Sequence, residues 1–522
     1  MSYLCVIDCI TKVSIIFLIY NTKRDNSVIF YERLYHRNPF LMKAIKFSIL
    51  ASVVFYMSCA VPQEEYYVKH VVFPVGATPE LKLDMASRLV PADNQRRWQE
   101  LELTAFLHFG INTFTGREWG DGTEDPALFD PTELDCRQWV ETLRQGGFRL
   151  AILTAKHHDG FCLWPSATTD HSVESSAWKD RKGDVVREFR EACEAEDVKF
   201  GIYLSPWDRN AGCYGDSDAY NAFFIAQLTE LLTGYGTVDE VWFDGACGEG
   251  PNGKRQEYDW DAYFETVRRL QPDAVIAIMG DDVRWVGNEQ GYGRETEWSA
   301  TVMVPEAYSR ARVLNGRLGI GPQSPDLGSR EMVALAGELF WYPSEVDVSI
   351  RPGWFYHASE DGQVKSLEHL VKIYFESVGL NSGLLLNIPP DRRGLIAGPD
   401  AERLAQWSEY LTETFSVNAV TGRKTFSIKE GQSRDVKIRN GSNVNVIMLR
   451  EDISRGQRVE SFVLEAFAAG EWKEVGRGTT IGNKRLVRIP ETEASKLRIT
   501  ITGSRGTANI SEVGVFHAAP LR

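Results

Sequence analysis

Between Thr104 and Met279 the chain repeats one pattern five times: a short run of apolar and β-branched residues, a polar stop, then a segment of helical period. The apolar runs occupy 104–110, 148–155, 198–205, 240–244 and 274–279, and the helical patterns 135–146, 184–196, 218–233 and 259–270. Alternation at a spacing of about 35–50 residues predicts parallel βαβ units, which leaves a closed barrel or a doubly wound sheet. No Gly-x-Gly-x-x-Gly follows the first strand and no phosphate-binding Gly-x-x-x-x-Gly-Lys-Ser/Thr occurs anywhere. Polar residues instead close every apolar run, as in a barrel whose chemistry sits at the C-terminal strand ends. The expected fold is therefore α/β, a (β/α)8-like TIM barrel over 85–415. Later elements are less regular, with strands at 345–356 and 382–388 and helices at 365–379 and 399–414. From 416 to 522, short alternating runs such as Val444–Leu449 and Leu497–Ile501, punctuated by Gly, Asn and Ser, predict a C-terminal β-sandwich. That sandwich is read as a structural appendage.

The N-terminus reads as processing signal, not fold. Residues 42–59 have a basic start (Met42-Lys43), an apolar stretch and a small Ser58 before Cys59, the layout of a lipoprotein-type signal peptide with Cys59 lipidated. Residues 1–41 read as a spurious extension from an upstream start codon, and 60–84 as a polar tether. Neither apolar run, 13–20 or 47–57, reaches the roughly 20 residues that a membrane span needs. The expectation is export, to the periplasm or the outer membrane of a Gram-negative bacterium, with membrane contact only through the lipid. A net charge of −14 without a long Lys/Arg cluster argues against nucleic acid. The five cysteines beyond Cys59 (Cys136, Cys162, Cys193, Cys213, Cys247) show no Cys-x-x-Cys spacing, so neither a disulfide framework nor a zinc site is indicated.

The polar strand ends make one constellation. His108, the pair His157-His158, Tyr203 and Asp244 close the first four strands, Glu289 lies in the loop after the fifth, and early loops add Glu118-Trp119 and Trp207-Asp208. Asp244 ends Val-Trp-Phe-Asp-Gly, where a carboxylate beside buried aromatics costs several kcal/mol unless it is paired or used. A metal centre is disfavoured, because adjacent His157 and His158 point to opposite sides of an extended chain. A sugar site fits better: His and Tyr suit hydroxyls, and Trp packs an apolar sugar face. A retaining glycosidase needs a carboxylate nucleophile, for which Asp244 is the candidate, and an acid kept protonated by apolar burial. Glu249, Asp281, Asp282, Glu289, Glu295 and Glu297 compete for the acid, and Glu289 is favoured because nearby Trp285 can desolvate it.

His108-Phe109-Gly110, Glu118-Trp119, Lys156-His157-His158-Asp159-Gly160-Phe161, Tyr203-Leu204-Ser205, Trp242-Phe243-Asp244-Gly245 and Gly383-Leu384-Leu385-Leu386-Asn387-Ile388-Pro389-Pro390 together resemble the family-29 glycoside hydrolases, the α-L-fucosidases. The resemblance implies a retaining exo-α-L-fucosidase in which Asp244 forms a fucosyl ester. It implies that His108, Glu118, Trp119, His157, His158 and Tyr203 hold the sugar, and it leaves Trp354 open between the pocket for the C6 methyl and plain core. Leu204 stands where many members have a second Tyr. Arg284-Trp285-Val286-Gly287-Asn288-Glu289-Gln290-Gly291 resembles the subgroup preferring α-1,3/1,4-linked fucose of Lewis-type glycans, which implies Glu289 as acid/base. The implied partners are fucosylated oligosaccharides or glycoconjugates, and no metal or organic cofactor is implied. A glycosidase of other specificity on the same barrel, or a non-catalytic glycan-binding lipoprotein, are the alternatives.

Overall fold

The computed structural model describes residues 65–521; the expected signal peptide, Cys59 and the preceding extension lie outside them. Eight strands form one parallel sheet: β1 (Leu103–Leu107), β2 (Leu150–Lys156), β3 (Lys199–Leu204), β4 (Glu240–Phe243), β5 (Val275–Ile278), β6 (Arg284–Trp285), β7 (Ser344–Ser349) and β8 (Gly383–Asn387). Their order is β5-β4-β3-β2-β1-β8-β7-β6, and a parallel bridge between Ala277 and Val283 joins the two ends, closing the barrel. β1 and β2 are buried at every position, as continuous apolar runs covered on both faces should be. One face packs against the surrounding helices. The other fills the lumen with Trp98, Phe106, Ile152, Tyr203, Trp242 and Leu385.

The helices form where the sequence both caps and patterns them. Those at Cys136–Gln145, Val185–Ala195, Ser217–Gly234 and Trp260–Leu270 each begin after an aspartate (Asp135, Asp184, Asp216, Asp259) whose carboxylate accepts a backbone N–H of the first turn. Each such cap contributes about 1 kcal/mol. Three of these helices bury an apolar stripe at i, i+3, i+4 spacing, such as Trp139, Val140 and Leu143. No helix separates β5 from β6. Five residues suffice there because Asp282, whose carboxylate accepts the Ile276 N–H at 2.8 Å, is held between Lys69 and Arg268.

One expectation changes. The stretch read as a tether folds from Tyr67 onward: Tyr67–Val68 pairs with Leu89–Val90, His70–Val72 joins a three-stranded sheet with Ala300–Thr301 and Glu338–Trp341, and Pro79–Ser87 is a helix. Its Val71, Phe73, Met85 and Leu89 bury against Val302, Leu339 and Trp341, apolar contacts that the polar residues between them conceal in the sequence. The C-terminal region is the expected antiparallel β domain, its seven strands hydrogen-bonded in one sheet. Its longest strands, Ser433–Glu451 and Arg485–Ser504, carry register shifts between Lys437 and Ser442 and between Val444 and Val446. Such bulges bend strands, and the bent sheet encloses its own core of Ile447, Leu449, Leu464, Ile499 and Val515.

This sheet docks on the N-terminal end of the barrel. Glu102, just before β1, pairs with Arg450 and, at 2.6 Å, with Lys484. The Lys484 carbonyl accepts the Asn381 N–H at 2.9 Å, just before β8. The C-terminal strand ends, on the opposite side, are left to the loops.

Candidate active site

Those strand ends open on a cavity of about 140 Å³ lined by Phe106, His108, Glu118, Trp119, His157, His158, Tyr203, Trp242, Asp244, Glu289, Asp347 and Trp354. Every residue expected to react with or hold the sugar is in this wall, whereas Trp207 and Asp208 are not. A second cavity of about 260 Å³ shares Trp242, Asp244, Glu289 and Asp347 and continues past Ile278, Met303 and Tyr342. None of the lining residues comes from the C-terminal sheet.

Asp244 follows β4 directly. Its Oδ1 accepts the Ala246 N–H at 2.7 Å and its Oδ2 accepts the Tyr203 hydroxyl at 3.1 Å. Each oxygen thus has one donor and the head remains partly open to the cavity. Burial pushes the Tyr203 hydroxyl well above its ordinary range and the neighbouring Asp244 charge adds to this, so Tyr203 donates and stays neutral.

The histidines are buried, with exposures of 5, 8 and 2% for His108, His157 and His158. Burial holds His108 down to about 3, with His158 adding to it and the Asn387 bond opposing, and holds His157 well below its usual value, with His158 and His108 adding to it. His158 is lowered by burial too, opposed by the Asp244 charge 3.9 Å from its Nε2. His158 Nδ1 lies 2.7 Å from Ser205 Oγ, which itself donates to the Trp207 carbonyl. The imidazole must then donate from Nδ1, which leaves the Nε2 lone pair facing the cavity. His108 Nδ1 meets Asn387 Oδ1 at 2.9 Å, and the Asn387 amide is fixed by Ser349 Oγ and the Trp354 carbonyl. The Gly383–Pro390 motif therefore works through Asn387, which orients His108.

His157 and His158 do not diverge as an extended chain would make them. The strand ends at Lys156 and a turn closed by Gly160 N–H to the His157 carbonyl follows, so both rings face the cavity with centroids 4.2 Å apart. Among the described residues no group of His, Cys, Asp or Glu is arranged to hold a metal ion.

Glu118 and Glu289 sit differently from expectation. The Glu118 carboxylate is committed to His357 Nε2 at 2.7 Å and the Trp354 N–H at 2.8 Å, so it also shapes the wall around Trp354. Glu289 is exposed on its loop, not buried against Trp285. Trp285 donates instead to Asp347 at 2.8 Å, and the indole that reaches Glu289 is Trp354, at 3.3 Å. Trp354 is therefore a wall residue and not plain core. Four competing acids are occupied elsewhere, Asp281 and Asp282 by Lys69 and Arg268, Glu295 by Arg485, and Glu297, fully buried, by Arg284 and Arg294, while Glu249 lines neither cavity. Trp119, 55% exposed, stands edge-on to His158 and Trp207 at the rim. His357, Ser205 and Asp347 escaped the sequence reading. Asp347 lies inside an apolar-polar alternation that any half-buried strand would show, and only the barrel's curvature aims it at the cavity.

Below the cavity three indoles hydrogen-bond three buried carboxyls up the barrel axis. Trp98 Nε1 donates to Glu240 at 2.8 Å, Trp242 to Glu345 at 2.9 Å and Trp285 to Asp347 at 2.8 Å. Burial raises Glu240 to about 8 and both Glu345 and Asp347 well above the carboxylate range, helped by Asp239 and Asp282 at Glu240, by Glu240 at Glu345, and by Glu289 and Glu345 at Asp347.

The sequence profile described as alpha-L-fucosidase matches residues 96–414. The chain is 41% identical to alpha-L-fucosidase 1 of Arabidopsis thaliana over 462 residues, 82% of this chain and 87% of the plant protein. It superposes on a Bacteroides ovatus crystal structure at 64% identity with a TM-score of 0.86, covering 88% of this chain and 79% of that one. A Ruminococcus gnavus GH29 fucosidase in complex with fucose superposes at 30% identity and a TM-score of 0.72, over 82% of this chain and 95% of that one. The chain belongs to glycoside hydrolase family 29, the alpha-L-fucosidases.

Proposed function

We propose that the protein removes terminal α-linked L-fucose from glycans with retention, Asp244 acting as nucleophile and Glu289 as acid/base. The observation carrying this is the placement of both carboxyls in the wall of one cavity, Asp244 oriented by Tyr203 and Ala246, Glu289 by Trp354. In the first step an Asp244 oxygen bonds to the anomeric carbon while the glycosidic oxygen leaves with the Glu289 proton. In the second, Glu289 takes a proton from water, the water oxygen bonds to the anomeric carbon, and the ester bond to Asp244 breaks. The 3.1 Å Tyr203 bond frees one Asp244 oxygen for attack more readily than the 2.7 Å backbone bond does. The neutral state of the three histidines fits the chemistry, because imidazolium groups would repel the positive charge that develops on the sugar. Glu289 is exposed in the open site, so the bound glycan supplies the apolar cover that a protonated acid requires.

The acid/base role is tested with Glu289→Ala. Hydrolysis of natural glycans, whose leaving groups need protonation, falls about 10²–10⁴-fold, and azide restores turnover of an activated aryl fucoside. No rescue, or a near-normal rate on glycans, sinks the assignment.

We further propose a preference for α-1,3/1,4-linked, Lewis-type fucose, supported by the Gly287-Asn288-Glu289 motif on the loop after β6. Fucose release from a Lewis-type trisaccharide well in excess of release from a simple α-1,2-linked glycan is expected. Equal release keeps the fucosidase and discards the preference. No fucose from any substrate, with fucose still bound, would favour the non-catalytic binder, and competition by a galactoside would favour the other specificity. Export through the 42–59 signal with lipid on Cys59 is proposed from the sequence. A tagged fatty acid should label the wild type and not Cys59→Ser.

A further inference from the structure

Asp347 has no part in the two-carboxylate scheme, yet it stands in the wall of both cavities beside Asp244 and Glu289. It is 4% exposed and makes no ion pair among the described residues. The Trp285 indole N–H donates to Oδ1, the Asp347 backbone N–H adds a weaker pull on the carboxyl, and Oδ2 accepts from no other described residue. The charged groups nearest it are Glu289 and Glu345, both carboxyls. An anion there would be desolvated, and its carboxyl neighbours offer it no compensating positive charge, so burial favours the neutral acid. With Oδ1 already accepting, the proton belongs on Oδ2, the oxygen left to the cavity.

We propose that Asp347 is a further sugar-binding residue, whose carboxylic O–H donates to an oxygen of the fucosyl unit held between Asp244 and Glu289. This gives the site a donor on the β7 side, across the barrel from Tyr203 on β3. It also explains why an indole rather than an arginine or lysine orients the group: a cation would ionise the acid and remove the donor. The inference rests on the reading of Asp244 and Glu289 as the reacting pair. Asp244→Ala tests that reading separately, since hydrolysis that survived that change would sink it whatever Asp347 does.

The test uses Asp347→Leu, which keeps the volume without polar atoms, and Asp347→Asn, which keeps a neutral donor. Inhibition by free fucose and kcat/KM on an aryl fucoside are read for each. Asp347→Leu should raise the fucose inhibition constant roughly 10-fold or more and lower kcat/KM by about 10–100-fold, the range for a lost hydrogen bond in a site built to make it. Asp347→Asn should stay within about 5-fold of wild type on the same grounds. Fucose inhibition unchanged in folded Asp347→Leu overturns the proposal, as does Asp347→Asn falling as far as Asp347→Leu. If Asp347→Leu does not fold, infrared difference spectra decide. A protonated-carboxyl band absent from Asp347→Asn should shift when fucose is added to wild type, and a band that is missing or unmoved overturns the proposal.

Discussion

Asp244→Ala should lose about 10⁴-fold or more in kcat on every fucoside, aryl or glycan, the scale on which single covalent-catalysis residues act. The loss should fall on kcat and leave fucose binding largely intact. Asp244 is one polar group among His108, His158, Tyr203 and Glu118 in the cavity, and its two hydrogen bonds are to Tyr203 and Ala246, both of which can turn to water. Stability should hold, because the carboxyl head is partly open and its removal strands no buried charge. A small external nucleophile such as azide should partly restore turnover and yield a fucosyl azide of inverted configuration, since the anion enters from the face that the carboxylate vacated. Retained configuration, or a loss confined to KM, would mean that another group attacks.

The second large effect is on stability. Glu240 and Glu345 are buried, each with one indole donor and one oxygen without a partner, and burial raises both. A carboxyl raised in the folded state destabilises as pH rises. Below the unfolded value near 4.5 both states are protonated and nothing is lost; between 4.5 and about 8 the unfolded chain ionises while folded Glu240 does not. Glu240→Gln removes this dependence, keeps an acceptor for Trp98, and relieves the repulsion on Glu345. Its stability relative to wild type should therefore improve by about 2–4 kcal/mol on going from pH 4.5 to pH 8, whatever its offset at pH 4.5. Thermal or denaturant unfolding at the two pH values checks this. Parallel curves would show that Glu240 ionises freely in the fold.

Much of the barrel was legible because its signals are local. Each helix start carries an aspartate and each strand an unbroken apolar run, so β1 to β5 and their helices fall within a few residues of the sequence reading. β6 was not legible: two residues, Arg284 and Trp285, pair only because Ala277 bridges Val283 across the closing seam. The stretch from Tyr67 to Val90 was misread for the same reason, since its partners at 300–302 and 338–341 lie more than two hundred residues away. In the site, residues at strand ends declared themselves, and His108, His157, Tyr203 and Asp244 share one cavity. What a carboxyl does after the chain turns was beyond the sequence. Glu118 is spoken for by His357, and Trp285 serves Asp347 in place of Glu289.

The docking of the C-terminal sheet also bears on biosynthesis. Glu102 precedes the first barrel strand, yet its counter-ions, Arg450 and Lys484, are made 348 and 382 residues later. Ile453 likewise completes the cluster begun by Val71 and Phe73. An early barrel would therefore hold an unpaired carboxylate beneath β1 and an open apolar seam, a penalty of several kcal/mol. Until those residues emerge, the barrel lacks both the charge partners of Glu102 and part of the cover of its N-terminal apolar cluster. A polypeptide ended at residue 415 would inherit that unfinished state permanently.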